Sequence, residues 1–211
     1  MVEGNEMGTY HGPKVRLTRR VGAPIAETPK HTNVRRPQKP GMHGKKRRAR
    51  QSLYGEQLQE KRKLTAYYDV RDRQFTRHIK QAQTATGSST DALQRILESR
   101  LDNVIRRLHW ARTIWQAHQM VGHGHFYVNG HKVDVPSYEV KPGDQITVKF
   151  GDEESVRGVI ATVENVESVV PEWLSVDNEH LTARVLRLPE PGEVRLPFEI
   201  DMAKVIELYT R

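Results

Sequence analysis

Apolar residues are sparse up to about position 51, fall at helical spacing from there to about 121, and alternate with a period of two between about 125 and 150. These three regimes predict an extended N-terminal segment, a run of helices and a small sheet. Ser52 is a candidate N-cap for the first helix, whose apolar positions Leu53, Leu58, Leu64 and Tyr68 are loosely spaced. A second helix is predicted over 70–84, with Phe75 and Ile79 four apart on one face. Gly87-Ser88-Ser89 breaks it, and Ser89 or Thr90 caps the next, where Leu93, Ile96 and Leu97 form an inward stripe. Two short helices follow. One spans 100–108, with Leu101, Val104, Ile105 and Leu108 inward; the other spans 113–121, with Ile114, Ala117 and Val121 inward, and ends at Gly122 and Gly124.

Residues 125–128 then read as a strand, Asn129-Gly130 as a tight hairpin turn and 131–135 as the return strand. Lys141-Pro142-Gly143-Asp144 is a second turn signal, leading into an alternating strand over 145–150. The tail predicts a helix over 153–169, a strand pair around Trp173-Leu174 and 181–188, and a last helix over 201–209. No internal repeat is visible. The fold class is α+β: a mainly helical domain built from the N- and C-terminal parts, with a small helix-plus-sheet domain inserted and a basic extended N-terminal segment. The expected divisions are 1–51, 52–98, 99–150 and 151–211, the last packing back on the helical domain.

Charge sharpens this outline. The 211 residues carry a net +8, but residues 1–86 hold 20 Lys+Arg against 7 Asp+Glu, and 151–211 hold 6 against 13. A polyanion is therefore the expected partner of the first part, and the acidic tail would be repelled by it. Between Lys30 and Arg50 lie nine basic residues and no acid, interrupted by Pro37, Pro40, Gly41 and Gly44. Such a stretch is expected to lack regular structure in isolation and to order against phosphates. A nuclear-localisation run is the alternative reading.

The remaining composition excludes several classes. Hydrophobic residues make up 36% and the mean hydropathy is -0.72, so a core cannot run the whole length. No apolar run approaches the roughly 18 residues of a membrane span, and residues 1–10 lack the apolar stretch of a secretory signal. The absence of cysteine removes disulfides and thiolate zinc sites. His11, His31 and His43 share no ligand spacing, so no metal or other cofactor is expected. Asp91, Asp102 and Asp134 fit cap, structural and turn roles better than catalysis, and no phosphate-cradling glycine loop is present. His123 and His125 flank Gly124 at a helix-to-strand turn and fit either RNA contact or a polar turn. Trp110 and Trp115, with Tyr54, Tyr67, Tyr68 and Tyr127, are expected to pack rather than stack on bases. Recognition then falls to basic residues reading phosphates and shape.

The stretch from Leu97 to Phe150 resembles the small RNA-binding domain named after small-subunit ribosomal protein four. Arg100-Leu101-Asp102, His123-Gly124-His125, Val128-Asn129-Gly130 and Lys141-Pro142-Gly143-Asp144 carry the match. That domain also occurs in pseudouridine synthases, tyrosyl-tRNA synthetases and a ribosome-rescue protein. Flanking motifs extend the resemblance to the ribosomal family itself: Gly12-Pro13-Lys14 with Leu17-Thr18-Arg19-Arg20, Lys39-Pro40-Gly41-Met42-His43-Gly44, Leu53-Tyr54-Gly55, Pro171 to Leu174, and Val205-Ile206-Glu207-Leu208-Tyr209. The resemblance implies a cytoplasmic, non-enzymatic constituent of the small ribosomal subunit. It implies binding at a multi-helix rRNA junction, early assembly of the subunit body, a role in accuracy near where mRNA enters, and contact with ribosomal protein five. Two rivals share the domain: an RNA-modifying enzyme, for which the 61 residues after Phe150 leave too little chain, and a translational repressor or assembly factor acting off the ribosome.

Two departures from the family pattern stand out. Relatives often carry zinc-binding cysteines near the N-terminus, and place Arg where Ile114 and His118 stand here. The expected RNA-binding set is Lys14, Arg16, Arg19, Arg20, Arg35, Arg36, Lys45, Lys46, Arg47, Arg48, Arg50, Lys61, Arg62, Arg73, Arg77, Arg100, Arg107, Arg112, His123, His125, Asn129 and Lys132.

Overall fold

The periodicities locate the elements of a computed structural model, which describes residues 10, 12–26, 28–32, 34–44, 51–149, 159, 170–190 and 192–210. Apart from Val159, the helix expected over 153–169 lies outside these residues, as do the cations Lys45, Lys46, Arg47, Arg48 and Arg50. Two compact units divide the chain: Met1–Thr90 with Leu196–Arg211, and Asp91–Arg195.

The first unit is helical. It contains α1 (Lys14–Val21), α2 (Pro29–Thr32), α3 (Leu53–Tyr67) and α4 (Asp72–Thr84). Ser52 caps α3 as expected, its Oγ accepting from Gly55 N at 3.3 Å. Asp69, with φ 49°, turns the chain between α3 and α4, so α4 starts at Asp72 rather than at position 70, and Val70 is buried ahead of it. A C-terminal helix belongs to this unit, Met202–Glu207, with Asp201 Oδ1 capping Lys204 N at 3.2 Å. It packs on α3 through Lys204–Glu56 (3.1 Å) and Gln57–Glu207 (3.1 Å). The Tyr67 ring meets Tyr68 and Phe198 edge-on at 5.0 and 5.4 Å.

Residues 14–21 and 29–32 depart from the expected extended segment. In α1, Thr18 and Val21 are buried while Arg16 and Arg20 face solvent. Gly22, at φ 77°, ends the helix with its N–H on Thr18 O at 2.7 Å. Eight residues so poor in apolar side chains would not hold a helix in isolation. Packing against α3 supplies the missing stabilisation. His31 of α2 is buried against α1, its Nδ1 2.6 Å from Thr18 Oγ1.

The second unit contains α5 (Ser89–Glu98, entering from the first unit), α6 (Leu101–Arg107), α7 (Ile114–Gly122) and five antiparallel strands in the order β2-β1-β3-β5-β4. These are β1 (Phe126–Val128), β2 (His131–Val133), β3 (Gln145–Val148), β4 (Leu174–Asp177) and β5 (Thr182–Val185). Asn129 and Gly130 both take positive φ, 51° and 79°, as a primed hairpin turn requires. Register then places Val128 opposite His131 on one side and Ile146 on the other. Phe126, Val128, Ile146, Val148, Ala183 and Val185 alternate inward. They form one core with Leu101, Val104, Ile105, Trp110, Ala117, Val121 and Trp173. Trp110 stacks on Phe126 at 6.1 Å, in agreement with its expected place in the core.

The tail does not pack back as one piece. Residues 174–185 extend the sheet of the second unit, β5 pairing with β3 at Ile146↔Ala183. The alternation of Ala183 and Val185 continues the apolar face of β3, so adding strands to this sheet buries more than docking them elsewhere. Only residues 196–211 join the helical unit.

Candidate nucleic-acid interface

In the first unit, local geometry turns cations outward. Arg16, Arg20, Arg35, Arg36, Arg62, Arg73 and Arg77 are all exposed, and among the described residues none of them forms an ion pair. Arg19 Nε donates to Gln38 O at 3.0 Å, tethering the 34–44 segment to α1. Beside that tether opens a cleft of about 670 Å³. It is lined by Arg19, Lys30, Arg35 and Arg36 together with the apolar Val15, Pro29 and Val34, with no carboxylate among the described residues that line it. Clustered cations without a counter-charge stay soluble in water but attract a polyanion strongly, releasing its counterions.

Two expected contacts of this unit are spoken for. Lys61 Nζ pairs with Asp72 Oδ1 at 3.1 Å and sits 5.4 Å from the Tyr209 ring centroid. Burial opposes its charge, but the Tyr209 hydroxyl and the Asp72 carboxylate beside it prevail and its pKa is raised. Lys14 Nζ donates to Tyr10 O and its ammonium lies over the Tyr10 ring. Burial pushes the Lys14 pKa down, partly offset by Asp69. Burial likewise lowers His31, with Lys30 adding to the effect. His31 therefore serves as a neutral partner of Thr18. Among the described residues no group of three or more His, Cys, Asp or Glu is placed to hold a metal, and no helix is long and apolar enough to cross a membrane.

The second unit treats its cations differently. Arg100 is only 4% exposed. Its Nε and Nη2 donate to Asp102 Oδ1 and Oδ2 at 3.1 and 2.6 Å. Arg107 Nε and Nη2 donate to the fully buried Glu98 at 2.9 and 2.7 Å, and Nη1 reaches Arg195 O at 3.3 Å. Asn103 Nδ2 donates to the same carboxylate at 2.7 Å. A buried charge is tolerated only when paired and hydrogen-bonded, and here both carboxylates and both guanidinia are. Arg100 and Arg107, both expected at the RNA, thus also have internal partners, Arg100 within the first turn of α6 and Arg107 between α6 and α5. Asn129 is exposed and also has internal partners. Its Nδ2 donates to Asp144 Oδ1 at 2.8 Å and its Oδ1 accepts from Gln145 N at 3.0 Å, closing the hairpin.

What the second unit leaves on its surface clusters near the start of α7 and the α7–β1 turn. Arg112 is exposed ahead of α7. His123 is exposed and His125 half-buried, their ring centroids 5.8 Å apart. Gly124, at φ 74°, is buried because the Lys132 stem crosses it; a Cβ there would overlap Lys132 Cε. That glycine lets Lys132 lie beside the two imidazoles. His118 puts Nδ1 3.3 Å from Asp102 Oδ2, so it joins the internal network. Sequence reasoning passed over Lys30, a wall of the cleft, and the exposed Arg71 and Lys80, although all three stood in visibly basic stretches.

Comparison with known proteins gives concordant results. A family model described as the ribosomal protein S4/S9 N-terminal domain matches residues 9–98, and one described as the S4 domain matches 99–146. The chain is similar over nearly its whole length to proteins named small ribosomal subunit protein uS4. The one from Natranaerobius thermophilus is 41% identical over 213 residues, covering 97% of this chain and 100% of the relative. Those from Geobacillus stearothermophilus and Thermus thermophilus are 42% and 41% identical, with the same coverage of both partners.

Proposed function

The chain belongs to the uS4 family of small ribosomal subunit proteins, and from that membership we infer that it is an rRNA-binding structural constituent of the small subunit and not an enzyme. The observation that carries the RNA assignment within this chain is the cleft walled by Arg19, Lys30, Arg35 and Arg36, with no carboxylate among the described residues that line it. The cleft, the outward faces of α1 and α4, and residues 45–50 provide phosphate contacts. Arg112, His123, His125 and Lys132 provide a second, shaped surface. Phosphate contacts position, whereas a shaped surface selects a particular junction.

The finer role follows the family. The protein binds naked small-subunit rRNA directly, at a multi-helix junction, and nucleates assembly of the subunit body in the cytoplasm. Ribosomal protein five is its neighbour, and its position near where mRNA enters links it to accuracy. Footprinting of the purified protein on protein-free small-subunit rRNA tests this. Protection confined to one junction is expected; no protection without other proteins present would overturn direct binding. Sedimentation separates the rival role: a constituent stays with the subunit in high salt, whereas a repressor or assembly factor is stripped from it.

A further inference from the structure

Another pocket of the helical unit, of about 340 Å³, opens where α1, the end of α3 and the start of α4 meet. Its volume lies at the lower end of the range for small-ligand sites. Leu17, Val21 and Val70 give it an apolar part, Val21 and Val70 buried and Leu17 half-buried. Arg20 of α1, Arg62 of α3 and Arg71 at the N-cap of α4 also line it, and all three are exposed. Among the described residues none of the three forms an ion pair. Of the two carboxylates in the lining, Asp72 is paired with Lys61 at 3.1 Å. The other, Asp69, is half-buried in the turn between α3 and α4, at φ 49°. It also supports the charge of Lys14, and the roughly four acceptor sites of a carboxylate serve more than one donor. Apolar surface, three cations and one half-buried acceptor together suit a flat ligand that carries both negative charge and N–H donors.

We propose that this pocket is a guanine-nucleotide site: the base lies against Leu17, Val21 and Val70, Asp69 accepts its two adjacent N–H donors, and Arg20, Arg62 and Arg71 hold its phosphate. The Watson–Crick edge decides which base fits. A carboxylate only accepts, and guanine alone offers it two parallel donors, N1–H and N2–H. Adenine and cytosine turn a ring-nitrogen acceptor towards the same carboxylate, and uracil offers one donor between two carbonyls. Inorganic phosphate or an acidic peptide would use the arginines but be repelled by Asp69. The guanosine phosphate has two sources, an unpaired guanosine of the bound rRNA or a free guanine nucleotide. In the first case the proposal rests on the rRNA-binding reading and adds selection of one base, which phosphate contacts do not supply.

The test uses the full chain, with guanosine monophosphate, adenosine monophosphate and a small-subunit rRNA transcript as probes. Calorimetric titration should show guanosine monophosphate saturating a single site, at least about tenfold more tightly than adenosine monophosphate. Asp69→Asn should abolish this preference. Asparagine tolerates a positive φ, so the turn is retained, and its amide presents a donor where the carboxylate accepts. Arg71→Ala should weaken both nucleotides by similar factors. Equal binding of the two nucleotides overturns the proposal. So does a preference that survives in Asp69→Asn, and so does the absence of saturation by guanosine monophosphate up to about 10 mM. The transcript then separates the two sources. Asp69→Asn removes a negative charge, so charge alone would strengthen RNA binding. A transcript bound about tenfold more weakly by this variant assigns the pocket to an rRNA guanosine. A transcript bound as well or better assigns it to a free nucleotide. If the parent binds guanosine monophosphate but no transcript, the pocket stands and the rRNA reading falls, which is a separate result.

Discussion

The two units handle positive charge in opposite ways. Met1–Thr90 with Leu196–Arg211 holds 22 Lys+Arg against 10 Asp+Glu, a net of +12, and Arg16, Arg20, Arg35, Arg36, Arg73 and Arg77 face solvent. Asp91–Arg195 holds 12 against 16, a net of -4, and it pairs the buried Arg100 and the half-buried Arg107 with Asp102 and Glu98. A guanidinium in the first unit is available to a ligand, and one in the second is mostly part of the fold. Identical residue types thus stand free at the surface in one place and serve architecture in the other, and burial with a paired carboxylate decides between the two.

The sharpest way to break this contrast is to remove a buried carboxylate. Asp102→Ala would leave the Arg100 guanidinium in the interior, and a stability loss of about 3–5 kcal/mol is expected for stranding a buried charge. Trp110, Trp115 and Trp173 all lie in the second unit, so urea unfolding followed by tryptophan fluorescence reports on it selectively. A loss under about 1 kcal/mol would mean the pair contributes no more than a surface one.

Arg35→Ala with Arg36→Ala should do the reverse. No change in unfolding is expected, but the salt slope of rRNA binding should become shallower by about 0.7–0.9 for each phosphate contact removed. Affinity should fall by similar factors for cognate and unrelated RNA, measured at two salt concentrations. Loss confined to the cognate RNA would show that the cleft itself reads the junction. Arg112→Ala with Lys132→Ala is expected to have a smaller effect on total affinity and a larger one on preference for the cognate junction. Equal losses for both RNAs would remove the division between positioning and selecting surfaces.

The pH response of His31 gives a subtler effect. Burial holds this imidazole below the ordinary value of 6.5, so between the two values the unfolded chain binds more protons than the folded one. Stability of the α1–α2 packing is then complete above the ordinary value and declines as pH falls below it. Amide exchange in α1, corrected for its intrinsic pH dependence, should accelerate from pH 7.5 to 5.5. A His31 titration midpoint at or above 6.5 by NMR would refute this. The smallest effect is expected at Glu193, whose carboxyl the Arg187 guanidinium holds at about 2. This pair lies on the surface, and Glu193→Gln should leave the unfolding midpoint unchanged.

Much of the fold was legible along the chain, because certain signals are local. Asn129-Gly130 marks its hairpin since few other dipeptides tolerate two positive φ angles, and Phe75 with Ile79 marks α4 since a four-residue spacing is one helical face. Helix α1 was not legible: its inward positions are only Thr18 and Val21, and what stabilises it lies some forty residues away in α3. The site was legible as charge but not as geometry. Arg100, Arg107 and Arg112 look alike in sequence, yet the first two meet carboxylates and the third meets solvent. Tyr54 was expected to pack, as Tyr67 and Tyr68 do, and its exposure could be seen only in three dimensions.

By itself, the sequence determined that this is a cysteine-free, basic, α+β chain whose positive charge lies in its first 86 residues, because composition and local periodicity do not depend on what folds against what. Tertiary structure alone decided which cations pair with carboxylates and which face solvent, that β4 and β5 complete the sheet, and that one tyrosine faces outward. Burial and pairing depend on residues distant in sequence, and the cost of leaving a buried charge unpaired far exceeds any local preference.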